Sequence, residues 1–389
     1  MRRRLLFYVA GFDPASPKKY HRLYQEQGAR QAELTGMTLT VGDLRKLDDV
    51  TTGWTVSAEH PDGARVEIDY RFLHWFEAVR AAWPKNGPGL FLGFQEALRD
   101  YYACGLMARC KDDAPAAYFA SLAAPVTSLL LVALCAVVVA LASWGASALA
   151  TRFGGPWWAG AAPPLLLWLL FFPVWAWADK ALHVGWIGRG MIAVTRAARG
   201  ELPDFAARSD AFADRICEAA REESCDEVLV VAHSMGGQQA CRAIGRALML
   251  DPQFGRRTPV NLLTLGSLLP FYSMNAVRAG KDPAYVEEMA ALVAADWIGW
   301  VDVTAGNDPG CAAALHPLTG LGLGEPERRP ERRAPGFSRL LTRPSFERLK
   351  RSPLDYHFQY IMAGEIPGEY DFFRLTAGPA RLVESVASQ

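Results

Sequence analysis

Residues 227–237 read EVLVVAHSMGG. The first six of them form a short, mainly apolar run that predicts a buried β-strand. Ser234 follows this run, and Gly236 opens a segment to Leu250 that predicts an α-helix. A serine between a strand and a helix lies on a tight, strained turn, with its hydroxyl exposed above the sheet. The stretch therefore predicts an α/β fold with a candidate nucleophile at one edge of the sheet.

Small residues surround Ser234 in the sequence. Ala232 lies two positions before it and Gly236 two positions after it. Because the turn brings backbone segments together, both positions require small side chains. The backbone N–H of Met235 would point to the place where an oxyanion forms, and the dipole of the next helix favours negative charge there. These residues predict a nucleophile turn with one oxyanion donor.

The rest of the chain alternates strand and helix patterns. Apolar runs predict strands at 5–10, 260–266 and 297–304, and the turn HPDG at 60–63 predicts a hairpin of 54–58 with 65–70. Residues 20–34 and 204–222 predict helices. The alternation predicts a largely parallel sheet covered by helices. Residues 318–353, rich in proline and arginine, predict a surface loop or lid with short helices.

Three segments resemble one known family. The hexapeptide AHSMGG at 232–237 resembles the nucleophile turn of the α/β-hydrolase superfamily, on its lipase-like side. Ala10-Gly11-Phe12 is similar to the family's His-Gly-Phe oxyanion turn, with alanine in place of histidine. Residues 262–267, LLTLGS, resemble its TxGSP strand. The resemblance implies an α/β-hydrolase-type, mostly parallel sheet flanked by helices. It also implies that the Phe12 backbone N–H is the second oxyanion donor.

A serine nucleophile requires a base, and histidine is the usual one. In this fold the order along the chain is serine, acid, histidine, and His316 and His357 both follow Ser234. His357 lies in LDYHFQY at 354–360, which resembles the late Tyr-His turn of lipases. We therefore expect His357 to be the base, with His316 as the alternative. The direction of His233 within the turn disfavours it.

The acid is expected near the end of the strand predicted at 297–304. Asp308 follows that strand in Asn-Asp-Pro, where the family carries its acid, and Asp302 inside the strand is the alternative. The resemblance implies a Ser234–Asp308–His357 triad, in which the carboxylate orients the imidazole without taking its proton. No GxGxxG, Walker A or HExxH arrangement occurs, so we expect neither a metal nor another cofactor.

Composition excludes some classes of function. The chain has 389 residues, and 41 Lys and Arg balance 41 Asp and Glu, which argues against a nucleic-acid partner. The seven cysteines include no CxxC pair, so a disulfide framework or a zinc site is not expected, and free thiols fit a reducing compartment. The apolar run at 5–10 is too short for the core of an export signal, and no cleaved signal is expected.

One region is apolar enough to enter a membrane. Residues 114–151 and 153–178 contain no Asp, Glu, Lys or Arg. A helix needs about 20 apolar residues to cross a bilayer. We therefore expect two transmembrane helices at about 126–149 and 157–178, which form a hairpin at 114–182. This hairpin would be inserted between residues 1–113 and 183–389, the two parts of a hydrolase domain.

The charges beside this hairpin predict its orientation. The tip carries only Arg152, whereas more basic residues flank the two ends, namely Arg109, Lys111, Lys180, Arg189, Arg196 and Arg199. Basic loops stay on the cytoplasmic side. We therefore expect the hydrolase domain to face the cytoplasm.

The residues and the resemblance together indicate a membrane-anchored serine hydrolase. The expected activity is that of a lipase or carboxylesterase, with a lipophilic acyl substrate and the lipid bilayer as partner. One alternative is a catalytically silent scaffold or interaction protein of the same fold. Another is an acyltransferase or thioesterase that uses the same triad, because one fold hosts many chemistries. Chain length, headgroup and oligomeric state stay open.

Overall fold

A computed structural model describes residues 1–85, 87–158, 171, 173–177, 179, 184–221, 225–324, 326 and 329–387. The chain divides into two compact units. We call the first the sheet unit, which comprises Met1–Trp83, Tyr101–Tyr118 and Ala193–Gln389. The second, the helical unit, comprises Pro84–Asp100 and Phe119–Ile192. The domain bounds expected from the sequence, 1–113 and 183–389, stay a prediction.

The described part of the sheet unit contains a nine-stranded mixed sheet in the order β2-β4-β5-β1-β6-β7-β8-β9, with β3 paired to β4. Its strands are β1 (Arg3–Val9), β2 (Thr38–Val41), β3 (Arg45–Lys46), β4 (Thr51–Glu59), β5 (Arg65–Leu73), β6 (Glu227–His233), β7 (Val260–Leu265), β8 (Gly299–Val303) and β9 (Glu331–Arg333). Strands β1 and β5 to β9 are parallel, and β2 to β4 form the antiparallel part.

Helices connect these strands. They are α1 (Pro17–Thr35), α2 (Phe76–Ala82), α3 (Pro88–Ala103), α4 (Leu106–Asp113), α5 (Pro115–Arg152), α6 (Val184–Ala198), α7 (Pro203–Arg221), α8 (Gly236–Leu250), α9 (Leu269–Ala279), α10 (Pro283–Ala294), α11 (Phe337–Leu340), α12 (Arg343–Leu349), α13 (Pro353–Phe358), α14 (Phe372–Ala377) and α15 (Leu382–Ala387). A 3₁₀ turn at Gln359–Ile361 follows α13. The predicted α/β class, a sheet with helices, is confirmed.

The segment 318–353 differs in part from its prediction. The short helices α11 and α12 are present, but residues 331–333 form β9 and extend the sheet beside β8. This strand reads Glu-Arg-Arg and lies at the edge of the sheet. Charged residues are common on edge strands, because they prevent pairing with another chain. Hydrophobic patterning therefore cannot reveal such a strand.

The direction in which the chain winds through the sheet changes at β1. From β1 the chain first builds the strands on one side, up to β5, and then crosses to β6 on the other side. In an open α/β sheet, ligands bind at the carboxyl ends of the strands where the direction of winding changes. The carboxyl ends of β1 and β6 meet at this point, because Val9 pairs with Ala232. The oxyanion turn and the nucleophile turn predicted from the sequence both follow these ends.

A buried ion pair joins the amino-terminal ends of β1 and β6. The Arg4 guanidinium lies 2.6 Å from the Glu227 carboxylate, and both side chains are fully buried. Arg4 also donates to the carbonyls of Leu375 and Ala380. Asn261 and the Leu382 amide donate to the other Glu227 oxygen. The Arg4 guanidinium and both Glu227 oxygens thus have hydrogen-bond partners, which a buried ion pair requires.

Helix α5 is long, apolar and exposed. Its 38 residues span about 57 Å at 1.5 Å per residue. Its most apolar window has a mean hydropathy of 2.6, and only 6% of that window is buried. Among the described residues this is the one helix that could cross a membrane by length and composition. It contains the first predicted span, 126–149, whereas the second, 157–178, falls largely outside the described residues.

Removal of the buried carboxylate tests the tie between β1 and β6. The substitution Glu227→Ala leaves the Arg4 charge buried and unpaired, so we expect the free energy of unfolding to fall by about 3–5 kcal/mol. Urea unfolding in detergent measures this change. The exposed pair Arg65–Glu59 is the control, because Glu59→Ala should cost less than about 1 kcal/mol. Equal losses of unfolding free energy from the two substitutions would contradict a tie between β1 and β6 through the buried pair.

Candidate active site

Ser234 lies on a strained turn between β6 and α8. Its φ is 58°, and it is the one non-glycine residue with positive φ in the described chain. Side chains rarely adopt this left-handed region, and such strain clusters at functional sites. The Ser234 amide donates to the Leu265 carbonyl of β7, and the Gly237 amide donates to the Ser234 carbonyl. These bonds hold the strained residue in place.

Two glycines that pack beside Ser234, Gly11 and Gly236, have no space for a side chain. A Cβ at Gly236 would lie 2.6 Å from the Ala10 carbonyl oxygen and would also strike that of Val9. A Cβ at Gly11 would lie 2.7 Å from the Ser234 Cβ and 3.1 Å from its hydroxyl oxygen. The turn after β1 therefore packs directly against the Ser234 side chain. Ala232, the other predicted small residue, is fully buried in β6.

The turn after β1 is fixed by three contacts. The Trp75 indole donates to the Ala10 carbonyl at 2.9 Å, and the Asp13 amide donates to the Gly11 carbonyl at 2.7 Å. The Phe12 ring stacks on Trp83 with centroids 5.1 Å apart. In a trans peptide the N–H points opposite to the C=O, so the Phe12 N–H points away from Asp13. Its role as an oxyanion donor stays a prediction.

Met235 occupies the other predicted donor position. It is the residue before the first turn of α8, with φ of −62°. The first amides of a helix have no partner within the helix and carry partial positive charge. The Met235 N–H is one of this kind, immediately after Ser234. Its role too stays a prediction.

His357 and Asp308 form a buried pair. His357 lies in α13, and its Nδ1 is 2.8 Å from Asp308 Oδ2 and 3.1 Å from Oδ1. The side chains are 1% and 0% exposed. An ionised carboxylate only accepts hydrogen bonds, so Nδ1 carries the proton and donates. In the neutral imidazole, Nε2 is then the nitrogen without a proton.

The surroundings of Asp308 keep it ionised. Burial alone would raise its pKa, but the His357 charge and hydrogen bonds outweigh burial and lower the pKa of Asp308 below its ordinary value. The donors are His357, the Gly310 amide at 2.7 Å and the Tyr360 hydroxyl at 2.9 Å. A Cβ at Gly310 would lie 2.5 Å from His357 Nδ1. Only glycine therefore fits between Asp308 and His357.

His233 connects the turn at Ser234 to His357. Its Nε2 donates to the His357 carbonyl at 2.8 Å, and the two rings lie 4.8 Å apart. Burial, and next the His357 charge, lower the pKa of His233 to about 3. His233 therefore stays neutral and does not repel a protonated His357. Because His233 precedes Ser234, this contact brings His357 to the end of β6.

The two alternative residues have other partners. Asp302 accepts hydrogen bonds from Thr264 at 2.6 Å and Ser267 at 3.1 Å. Burial raises the pKa of Asp302 to about 6, although these two bonds lower it in part. His316 accepts the Leu318 amide on its Nδ1. The structure thus brings His357 and Asp308 together, whereas Asp302 lies within β8 and is hydrogen-bonded to Thr264 of the adjacent strand β7.

Sequence reasoning missed the roles of Tyr360, Gly310 and His233. Tyr360 lies within the quoted motif LDYHFQY, three residues after His357. Its hydroxyl partner, Asp308, is 52 residues earlier in the chain. No local pattern connects positions so far apart. Gly310 follows the Asn-Asp-Pro turn directly, and its proximity to Asp308 was the one usable signal.

A comparison of the chain with protein-family models, with curated proteins and with solved structures finds no match. The described residues contain no group of three or more His, Cys, Asp or Glu side chains that could hold a metal ion. What the site can do follows from its geometry. A strained serine, a histidine with a fixed tautomer and an ionised carboxylate are the elements that nucleophilic acyl transfer requires.

The raised pKa of Asp302 gives a pH dependence. Its stabilising contribution is complete below about pH 4 and is lost as pH rises through 6, because the buried neutral form is favoured. Asp302→Asn removes this titration. The difference in unfolding free energy between wild type and variant should shrink by roughly 2–3 kcal/mol from pH 4 to pH 7. Urea unfolding at both pH values measures it.

An effect of Asp302→Asn that is the same at pH 4 and at pH 7 would contradict the raised pKa of Asp302, because a stability difference independent of pH requires the same pKa in the folded and the unfolded chain.

Proposed function

We propose that the chain is a membrane-anchored serine hydrolase of the α/β-hydrolase type that cleaves acyl esters. One observation carries the proposal. The strained Ser234 lies at the end of β6, and the buried His357–Asp308 pair is tied to the same strand end through His233. A solely structural serine turn needs neither a fixed tautomer nor a buried ionised acid. The motif AHSMGG and the sheet order with β1 beside β6 support the same type of fold.

The proposed reaction proceeds through an acyl-enzyme. His357 Nε2 removes the proton of Ser234 as Oγ attacks the acyl carbonyl, and Asp308 stabilises the imidazolium. The N–H groups of Phe12 and Met235 stabilise the oxyanion, and loss of one such donor costs roughly 100- to 1000-fold in rate. His357 then gives its proton to the leaving alcohol. Water, deprotonated by His357, releases the acid and restores Ser234.

The proposed anchor is the apolar region around α5. Leu129, Leu134 and Leu141 are more than half exposed, which water disfavours and lipid tails do not. The exposed apolar length exceeds the bilayer core of about 30 Å. We propose that 126–149 and 157–178 form a transmembrane hairpin. Basic residues at its two ends, such as Arg109 and Arg189, favour a cytoplasmic hydrolase domain.

The proposed substrate class is a lipophilic acyl ester. An enzyme anchored in a bilayer meets lipid esters at high local concentration. Aromatic rings beside the oxyanion turn support an apolar substrate, since Phe12 contacts Trp83 and Phe205. Transfer of the acyl group to an alcohol, or cleavage of a thioester, would use the same residues. Product analysis separates these reactions from ester hydrolysis.

A fluorophosphonate probe tests the proposed nucleophile and the anchor together. Membranes that hold the full chain are washed with alkaline carbonate and then labelled. We expect wild type to stay in the pellet and to react. Ser234→Ala should abolish labelling, and His357→Ala should slow it by at least about 100-fold, because a general base contributes that much. Ser338→Ala and His60→Ala, outside the site, should label like wild type.

Each other outcome has a distinct meaning. A folded wild type that does not react would contradict the hydrolase and favour the silent scaffold. Labelling that survives Ser234→Ala would place the nucleophile elsewhere. Release of the protein by carbonate would contradict the transmembrane anchor but not the enzyme.

A further inference from the structure

The Tyr360 hydroxyl is held in one orientation. The Ala305 amide donates to its oxygen at 2.8 Å, and the oxygen lies 2.9 Å from Asp308 Oδ2. A carboxylate oxygen cannot donate, so the hydroxyl proton points to Asp308. The Ala305 amide therefore fixes the direction in which the hydroxyl proton points. The Tyr360–Asp308 hydrogen bond joins the 3₁₀ turn at Gln359–Ile361 to the segment that follows β8.

Tyr360 and His357 share the same carboxylate oxygen. Asp308 Oδ2 accepts both the hydroxyl and Nδ1 of His357, whereas Oδ1 accepts the Gly310 amide. The carboxyl group is fully buried, and a buried charge requires such donors. Without the hydroxyl, the carboxylate could rotate about its Cβ–Cγ bond. The two Nδ1 distances of 2.8 and 3.1 Å would then no longer be fixed.

The Tyr360 ring cannot move away from this position. It is fully buried, and it contacts the Phe337 ring edge-on with centroids 5.1 Å apart. A Cβ at Gly266 would lie 2.6 Å from its Cε2, so the ring fills the space above that glycine. The Tyr370 hydroxyl donates to the Tyr360 carbonyl at 2.5 Å. Tyr360 also lies only three residues after His357. One short segment therefore carries both His357 and the hydroxyl that binds Asp308.

We propose that Tyr360 is a positioning residue of the proposed hydrolase, whose hydroxyl fixes the Asp308 carboxylate in the orientation that His357 requires. The inference rests on the proposed function. The hydroxyl acts in two ways. It prevents rotation of the carboxylate, and it withdraws part of the carboxylate charge that attracts the proton of His357. Loss of the hydroxyl therefore affects the rate and its dependence on pH, and leaves substrate binding unchanged.

The test compares full-length Tyr360→Phe with wild type in detergent on p-nitrophenyl butyrate. We expect kcat to fall roughly tenfold, as for the loss of one hydrogen bond of about 1.4 kcal/mol. KM should stay unchanged. The acid limb of the pH profile of kcat/KM should move to higher pH, because the stronger carboxylate charge holds a proton on His357. Tyr285→Phe is the control, since it removes another buried hydroxyl, bonded to Ser273.

A double-mutant cycle with Asp308→Asn separates positioning from general stability. If Tyr360 acts through Asp308, Tyr360→Phe should change kcat by less than about twofold in the Asp308→Asn background. An active wild type with an unchanged profile in Tyr360→Phe, or equal losses in both backgrounds, overturns the inference and leaves the proposed function intact. A wild type no faster than Ser234→Ala overturns the proposed function itself.

Discussion

The strained backbone of Ser234 is the constraint on which the site depends. Residues in this region of φ persist only when the surrounding structure fixes them. Here the Leu265 carbonyl of β7 accepts a hydrogen bond from the Ser234 amide. The end of β1 also approaches so closely that Gly11 and Gly236 have no space for a Cβ. The central, fully buried position of β6 provides this support. The turn at Ser234 is therefore a consequence of sheet packing, and the Ser234 side chain is buried, not exposed as the sequence predicts.

Hydrogen-bond partners and nearby charges, not burial, distinguish the two acidic residues. Asp302 and Asp308 are both fully buried, and they lie six residues apart. Asp302 accepts hydrogen bonds from the hydroxyl groups of Thr264 and Ser267, and burial raises its pKa to about 6. Asp308 faces the charge of His357, and its pKa falls. Environment, more than residue type, thus distinguishes a structural carboxyl from one suited to a catalytic unit.

Local patterns in the sequence were sufficient for much of the fold. The helix predicted from Gly236 to Leu250 has those bounds in the structure, and the strand predicted at 260–266 is β7. Long-range geometry was not accessible. The choice between Asp302 and Asp308 depends on a contact across 49 residues. Helix α5 also begins earlier than predicted and contains Pro125, whose carbonyl accepts Gln95 and Ser128 side chains. The bond from Gln95 joins two separate helices, α3 and α5, and cannot be read from local propensity.

The central claim is that Ser234, His357 and Asp308 act as one unit. Its most direct test is the second-order rate of phosphonylation of Ser234 in Asp308→Asn and Asp302→Asn, each in the full chain. Asp308→Asn should slow the reaction by roughly 10³- to 10⁴-fold, because the imidazole loses its tautomer. Asp302→Asn should react within about threefold of wild type, since it touches neither His357 nor the nucleophile. A slow Asp302→Asn with an unaffected Asp308→Asn would contradict the account.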